Sequence, residues 1–279
     1  MRARDLLPHS LRVELARLRR LPGWWLEAPG LARERAPAGA FPFVIAEHAS
    51  PLARPGCTPE PRLQRGKQHN VALAAAHLDG LVIAPGQRAS YGHTVGWPTR
   101  WRGFRVGLEL HDGRPAEGVG GGCCQVSNLL YFLALIGGMN VVERHRHALD
   151  LYPDEARHVP FGCGATVYYN FADLRFDNPL DAPVRLSMRI VAGELRGRLC
   201  SAADPGLRIA IDQVEHRFFR ASDGQVWREN RLRRRVRTPA GELLSDHEVA
   251  HNLGRVCYPL APDVPIEQPA PATTIRQAA

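Results

Sequence analysis

The stretch GVGGGCCQVSNLLYFLALIGG, residues 118–138, constrains the fold more than any other. From Cys124 onward, Val126, Leu129, Leu130, Phe132, Leu133, Leu135 and Ile136 cover nearly every face of a helix, so that helix belongs buried at the centre of a domain. Gly137-Gly138 ends it. At its start, three glycines permit backbone conformations closed to other residues and a close approach to a ligand. The apolar run Leu129 to Ile136 is far too short to span a bilayer.

The elements around this helix can be read from periodicity and turn residues. In GKQHNVALAAAHLDG, Val71, Ala74, Ala75 and Leu78 recur at i, i+3, i+4 and i+7, predicting a helix that stops at Gly80. A short strand, LVI, runs to a Pro85-Gly86 turn. Residues 87–118 are rich in glycine and carry Tyr91, Trp97, Trp101 and Phe104, which read as a looped β region whose aromatics wall a cleft or fill a core. Strands are expected in NVVERHRHALDLY, in GATVYYNFADLRFDN, in a hairpin turning at Ala192-Gly193, and through residues 207–260 with turns at SDG and PAGE. A helix followed by several strands indicates an α+β fold, with the cysteine-bearing helix packed on an antiparallel sheet and a β-rich C-terminal extension. The expected divisions are a basic helical segment over residues 1–40, a globular domain over 41–261 and a disordered proline-rich tail over 262–279.

Charge narrows the partners. A net charge of +8, carried almost wholly by arginine, suits an anionic partner, but no basic run is interleaved with aromatics as single-strand nucleic acid binding requires. Nucleic acid is therefore not an expected partner. The N-terminal RVELARLRRLPGWWLEAPGLARER, partly amphipathic, reads either as a helix packed on its own domain or as a peripheral contact with an anionic membrane. With no secretory signal pattern, the expected location is cytoplasmic, at most peripheral to the inner membrane face. Six cysteines at 57, 123, 124, 163, 200 and 257 show no pairing rhythm and read as reduced thiols.

A thiol in the first helical turn sits among free N–H groups and the positive end of the helix dipole, so Cys123 or Cys124 is expected to have a lowered pKa. Those N–H groups would also stabilise an oxyanion. A base comes from ERHRHALD, where His145 and His147 share one face of a predicted strand. Asp150, Asp173, Asp177 and Asn170 are candidates to orient it. The same region offers an alternative zinc set in Cys123, Cys124, His145, His147, His158 and Cys163, although adjacent cysteines chelate one ion poorly; neither metal nor organic cofactor is expected. The order of cysteine helix, histidine strand and acid strand over about residues 118–178 resembles the transglutaminase-like and papain-like cysteine enzymes.

A more specific resemblance, to the VanW family, runs through NVALAAAHLDGLVIAPGQRASYGHTVGWPTRWRGFRVG, the glycine–cysteine stretch, VVERHRHALDLYPDEARHVPFGCGATVYYNFADLRFDN and HRFFRASDGQVWRENRLRRRV, over about residues 65–260. Carried over position by position, the family cysteine falls on Cys124, its glutamine on Gln125 and its histidine on His147, with Arg144 nearby. Where many members have an aspartate, this chain has Gly164, which moves the expected orienting acid to Asp173, with Asp150 behind it. The resemblance implies a role in cell-wall metabolism or glycopeptide resistance. Two functions follow. One is a cysteine-dependent amidase, peptidase or acyltransferase on a peptide or peptidoglycan-related substrate, with Cys124 as nucleophile, His147 as base and Asp173 orienting it. Gly120, Gly121, Gly122, Gln125, Arg144, Tyr91 and Trp97 would then bind the substrate. The other is a non-catalytic module recognising a cell-wall precursor or a protein partner.

Overall fold

A computed structural model describes residues 9–53, 60–111, 114–157 and 159–268. In chain order it contains α1 (His9–Glu27), β1 (Phe43–Pro51), α2 (Pro61–Leu78), β2 (Val82–Ile83), β3 (Arg88–Ser90), α3 (Tyr91–Val95), β4 (Val106–His111), β5 (Arg114–Val119), α4 (Cys123–Ile136), β6 (Asn140–Glu143) and β7 (Leu149–Asp150). There follow β8 (Arg175–Asp177), β9 (Val184–Val191), β10 (Glu194–Ser201), β11 (Arg208–Arg220), β12 (Val226–Arg237), β13 (Leu243–Val256) and β14 (Ile266–Glu267). The fold is mixed α+β, with mainly antiparallel sheets, few helices and a β-rich C-terminal part.

Helix α4 is the central element its composition demands. Val126, Leu129, Leu130, Tyr131, Leu133, Ala134 and Leu135 are all buried. One face lies on an antiparallel sheet in the order β1-β10-β9-β2. The helix comes close enough there that a Cβ on Gly197 of β10 would press into Leu133 and Leu129. The β9–β10 hairpin turns at Ala192-Gly193, both at positive φ, as the sequence predicts. Helix α2 packs against α4 and β9, and it ends at the residue before Asp79, followed by Gly80 at φ 83° in the left-handed conformation that terminates helices.

The strand prediction over residues 140–152 needs correcting. β6 stops at Glu143, and His145 to His147 lie outside a regular strand; only His145 makes a single bridge, to Thr166. Side-chain alternation therefore does not govern which histidine faces the helix. The strand expected over 164–178 is likewise only β8. The preceding residues turn back at Tyr168–Ala172, where Asn170 takes φ 39°, a conformation that asparagine tolerates better than most residues.

The long strands β11, β12 and β13 form an antiparallel sheet extended by short parallel pairings to β14 and β7. Along β12 the alternation is complete: Arg228, Asn230, Leu232 and Arg234 are buried, while Arg231, Arg233 and Arg235 pair outward with Glu248, Asp246 and Asp212. Arg228 lies between the Phe161 and Phe218 rings and bonds Asp150 and Asp154, tying this sheet to the rest of the molecule. Residues 269–279 of the expected tail, Cys57 and His158 lie outside the described residues; residues 266–267 of that tail form β14.

α1 is docked on the domain. Trp24 is buried, stacked on His93 with ring centroids 3.8 Å apart. Arg20 bonds the Phe171 carbonyl and pairs with Glu143, and Glu27 pairs with Arg175. Asn170 donates to the Arg17 carbonyl at 3.0 Å.

The glycine turn before α4 is fastened by Asn70 of α2. The Asn70 carboxamide donates to the Arg105 and Gly121 carbonyls at 2.8 and 3.0 Å and accepts from Arg105 N–H at 2.8 Å. Asn70→Ala leaves the buried Gly121 carbonyl and the Arg105 N–H without their partner, while the Arg105 carbonyl keeps the Gly120 N–H. We expect a loss of about 2 to 4 kcal/mol, measured as a lowered urea midpoint with an unchanged slope.

Candidate functional site

The glycines of the turn serve backbone packing. Gly120 and Gly122 have φ of 87° and 101°, which few other residues tolerate. A Cβ on Gly121 would overlap the Gly107 carbonyl of β4, and one on Gly122 would run into Lys67 of α2. The turn also consumes donors that an oxyanion would need: Cys123 N–H bonds the Gly120 carbonyl at 3.1 Å and Gln125 N–H the Gly122 carbonyl at 2.9 Å. Gln125, expected among the substrate-binding residues, donates its amide to Ser50 Oγ at 2.9 Å and the Pro51 carbonyl at 2.7 Å, fixing α4 to the end of β1.

The expected lowering of the cysteine pKa is reversed. Burial, with the neighbouring Cys124, pushes Cys123 up to about 12. Burial also raises Cys124, and the Glu109 carboxylate adds to the rise. Desolvation of the thiolate is the leading cause at both positions. The Cys124 Sγ faces the Val167 carbonyl at 4.0 Å, a weak contact at the limit for sulfur.

His147 does turn toward α4, one turn beyond the thiol. Its Nε2 lies 2.8 Å from Asn128 Oδ1, an oxygen that also accepts from Ala165 N–H, and its Nδ1 lies 3.0 Å from Thr166 Oγ1. Since Asn128 Oδ1 is an acceptor, Nε2 carries the proton and Nδ1 accepts from the threonine. Both ring nitrogens are thus engaged away from the thiol. Burial, then the charges of Arg144 and Arg157, lower His147 to about 4. Gly164 borders this arrangement: a Cβ there would crowd Asn128 and His147. The arginine beside it is a loop clamp, with Arg144 donating to the Gly164 and Gly162 carbonyls at 2.8 and 2.6 Å while lying over the Tyr131 ring.

Asp173 is fully buried but does not reach His147. It accepts from Ser90 Oγ at 2.6 Å, Gly92 N–H at 2.7 Å, Leu174 N–H at 2.8 Å and Arg175 Nε at 2.8 Å. The carboxylate fixes the start of α3 onto the segment leading into β8. Asp150 is held by Arg157, Arg228 and Tyr258, and Asp177 by Arg88. His145 faces Glu143 at 3.0 Å. Among the described residues, no three of His, Cys, Asp and Glu gather as a metal site would require, so the zinc set is not assembled.

Beside the cysteine turn lies an aromatic shelf. Trp97 and Tyr169 stack in parallel, 2° between planes and 5.7 Å between centroids, and the edge of Tyr169 meets Trp24. Trp97 and Tyr168 are about half exposed and Trp101 wholly so, and the Arg17 guanidinium lies 4.7 Å over Trp97. The shelf borders the cysteine turn from two sides, through Pro98 against Gly120 and through Val167 against Cys124. Tyr91 is buried, its hydroxyl donating to the Cys123 carbonyl at 3.4 Å. Asn128 and Arg17 were missed from sequence. A lone asparagine four residues after Cys124 in an apolar helix was the available signal for the first; nothing local marked the second.

These features define an α+β domain in which a buried cysteine-bearing helix starts beside an exposed aromatic shelf. Residues 66–200 match the family model described as VanW like protein, and this segment is a VanW family domain. The chain is 26% identical over 205 residues to the vancomycin B-type resistance protein VanW of Enterococcus faecalis, covering 74% of each chain. It is 31% identical over 131 residues to the uncharacterized protein YoaR of Bacillus subtilis, covering 47% of this chain and 42% of that one. No solved structure matches it.

His147 provides a test of this geometry. Its folded pKa of about 4 lies below the ordinary value of about 6.5, so between these limits the unfolded chain binds more protons. Its contribution is complete above pH 6.5 and lost as the pH falls through 4, a loss of about 3 kcal/mol. Urea unfolding of the wild type and His147→Gln from pH 7.5 to 4.5 should show the steeper decline in the wild type.

Proposed function

We propose that the domain is a non-catalytic binding module that recognises a cell-wall precursor, using the Trp97–Tyr169–Tyr168 shelf and the Arg17 guanidinium beside it. The observation that carries this reading is the exposed, pre-stacked aromatic surface next to a thiol that has no base in contact. Stacked rings that stay half exposed offer large, rigid contact area at little entropic cost, which suits a sugar ring or a peptide backbone laid along them. Arg17, paired with Glu14 at 2.7 Å, edges the shelf with a cationic plane. The class of ligand is inferred from the name of the Enterococcus relative, a vancomycin B-type resistance protein.

The competing reading, a cysteine amidase or acyltransferase in a transglutaminase-like core, keeps one point in its favour. Cys124 and His147 lie on the same side of α4, with Asn128 between them in sequence and bonded to the histidine. Catalysis would require His147 to leave both of its present partners and the thiolate to form in a desolvated site. The binding reading needs neither change.

Soluble peptidoglycan fragments, titrated by calorimetry into the wild type, Trp97→Ala and Cys124→Ser, separate the two. We expect Trp97→Ala to weaken binding by about tenfold or more and Cys124→Ser to leave it unchanged. Amide cleavage that disappears in Cys124→Ser would reject the binding module in favour of the enzyme.

A further inference from the structure

The inner face of α1 is spoken for by Arg17, Arg20, Trp24 and Glu27, which hold the domain. The opposite face is apolar and exposed: Leu11 (45%), Leu18 (60%), Trp25 (66%) and Leu26 (82%). Residues 11, 18 and 25 recur at seven-residue intervals, so they line one side of the helix, and Leu26 broadens the stripe. Four large apolar side chains left in water on one helix are costly unless something covers them.

We propose that this face of α1 lies on an anionic lipid surface, in the plane of the headgroups. Charge selects that occupant. The chain carries a net charge of +8, Arg19 stands exposed beside the stripe, and Glu14 on the same side is paired with Arg17. A second copy of the same chain would bring these like charges together, whereas anionic headgroups complement them. Pro22, in the middle of the helix, also disfavours a regular helix-to-helix seam. Trp25 at the end of the stripe is a side chain suited to the headgroup boundary. No helix of the described residues is long and apolar enough to cross a membrane, so the contact is interfacial. Because Arg17 reaches Trp97 from the inner side of the same helix, the aromatic shelf would lie within about one helix diameter, ~10 Å, of the lipid. Lipid contact by this face does not depend on what the shelf binds.

The test is co-sedimentation of the full chain with phosphatidylcholine vesicles, with and without one-third phosphatidylglycerol, comparing the wild type with Leu18→Glu/Trp25→Glu. Both substituted side chains point to solvent, so the fold should survive, and circular dichroism and an unchanged urea midpoint verify that. The proposal expects pelleting only with the anionic vesicles, weakened by salt and reduced about tenfold or more in the double variant. Failure to pellet, or equal pelleting of wild type and variant, overturns it. Concentration-dependent dimerisation that the double variant abolishes, seen by sedimentation velocity without lipid, would assign the face to a second copy and overturn it as well.

Discussion

Everything around the cysteine rests on one close backbone approach. The turn at Gly120–Gly122 meets β4 at Gly107 and α2 at Lys67, α2 in turn meets β4 through Gly66, and Asn70 pins the meeting point with three hydrogen bonds. Move that contact and α4 loses its starting point, the aromatic shelf loses Pro98 as its link to the turn, and the thiol loses its surroundings. The glycines are therefore structural in the strict sense: they let three backbone segments occupy a volume that side chains would fill.

That same closeness sets the chemistry. A helix start that is free and facing solvent can activate a thiol; one whose first donors bond the preceding turn and whose thiols are desolvated cannot do so to the same degree. The histidine shows the parallel effect. Burial between Asn128, Thr166 and two arginines keeps it neutral and fully bonded, which makes it a reporter of acid unfolding and a poor base for Cys124. The polar groups that seem assembled for catalysis in one dimension are, in three, distributed over separate duties: Asp173 anchors α3, Asp150 holds the C-terminal sheet through Arg228, and Arg144 closes the loop at 162–164.

Helix α1 works on two sides. Its inward arginines and Trp24 complete the shelf and cover His93, and its outward leucines and Trp25 remain without a partner among the described residues. An amphipathic helix normally buries its one apolar stripe; here the polar and aromatic side is the docked one, because Glu143, Phe171 and Asn170 offer it charges and hydrogen bonds.

The elements with a strong local signal were legible from the chain alone: α4 from its all-round apolarity, α2 from its stripe and Gly80, and the β9–β10 hairpin from Ala192-Gly193. Cys124, His147 and Trp97 were singled out as one candidate site from residue type and order alone. Their relations were not legible. Which partner His147 chose depended on where the irregular segment after β6 came to rest, and a strand that ends at Glu143 destroys the alternation on which the sequence argument relied. The sign of the cysteine shift depended on burial, a property of the assembled core. Local propensity and periodicity thus determined the helices, the hairpins and the central position of the thiol, because these follow from neighbours in the chain. Tertiary packing alone decided the protonation, the hydrogen-bond partners and the half-exposed aromatic shelf, because desolvation and contact are set by residues distant in sequence.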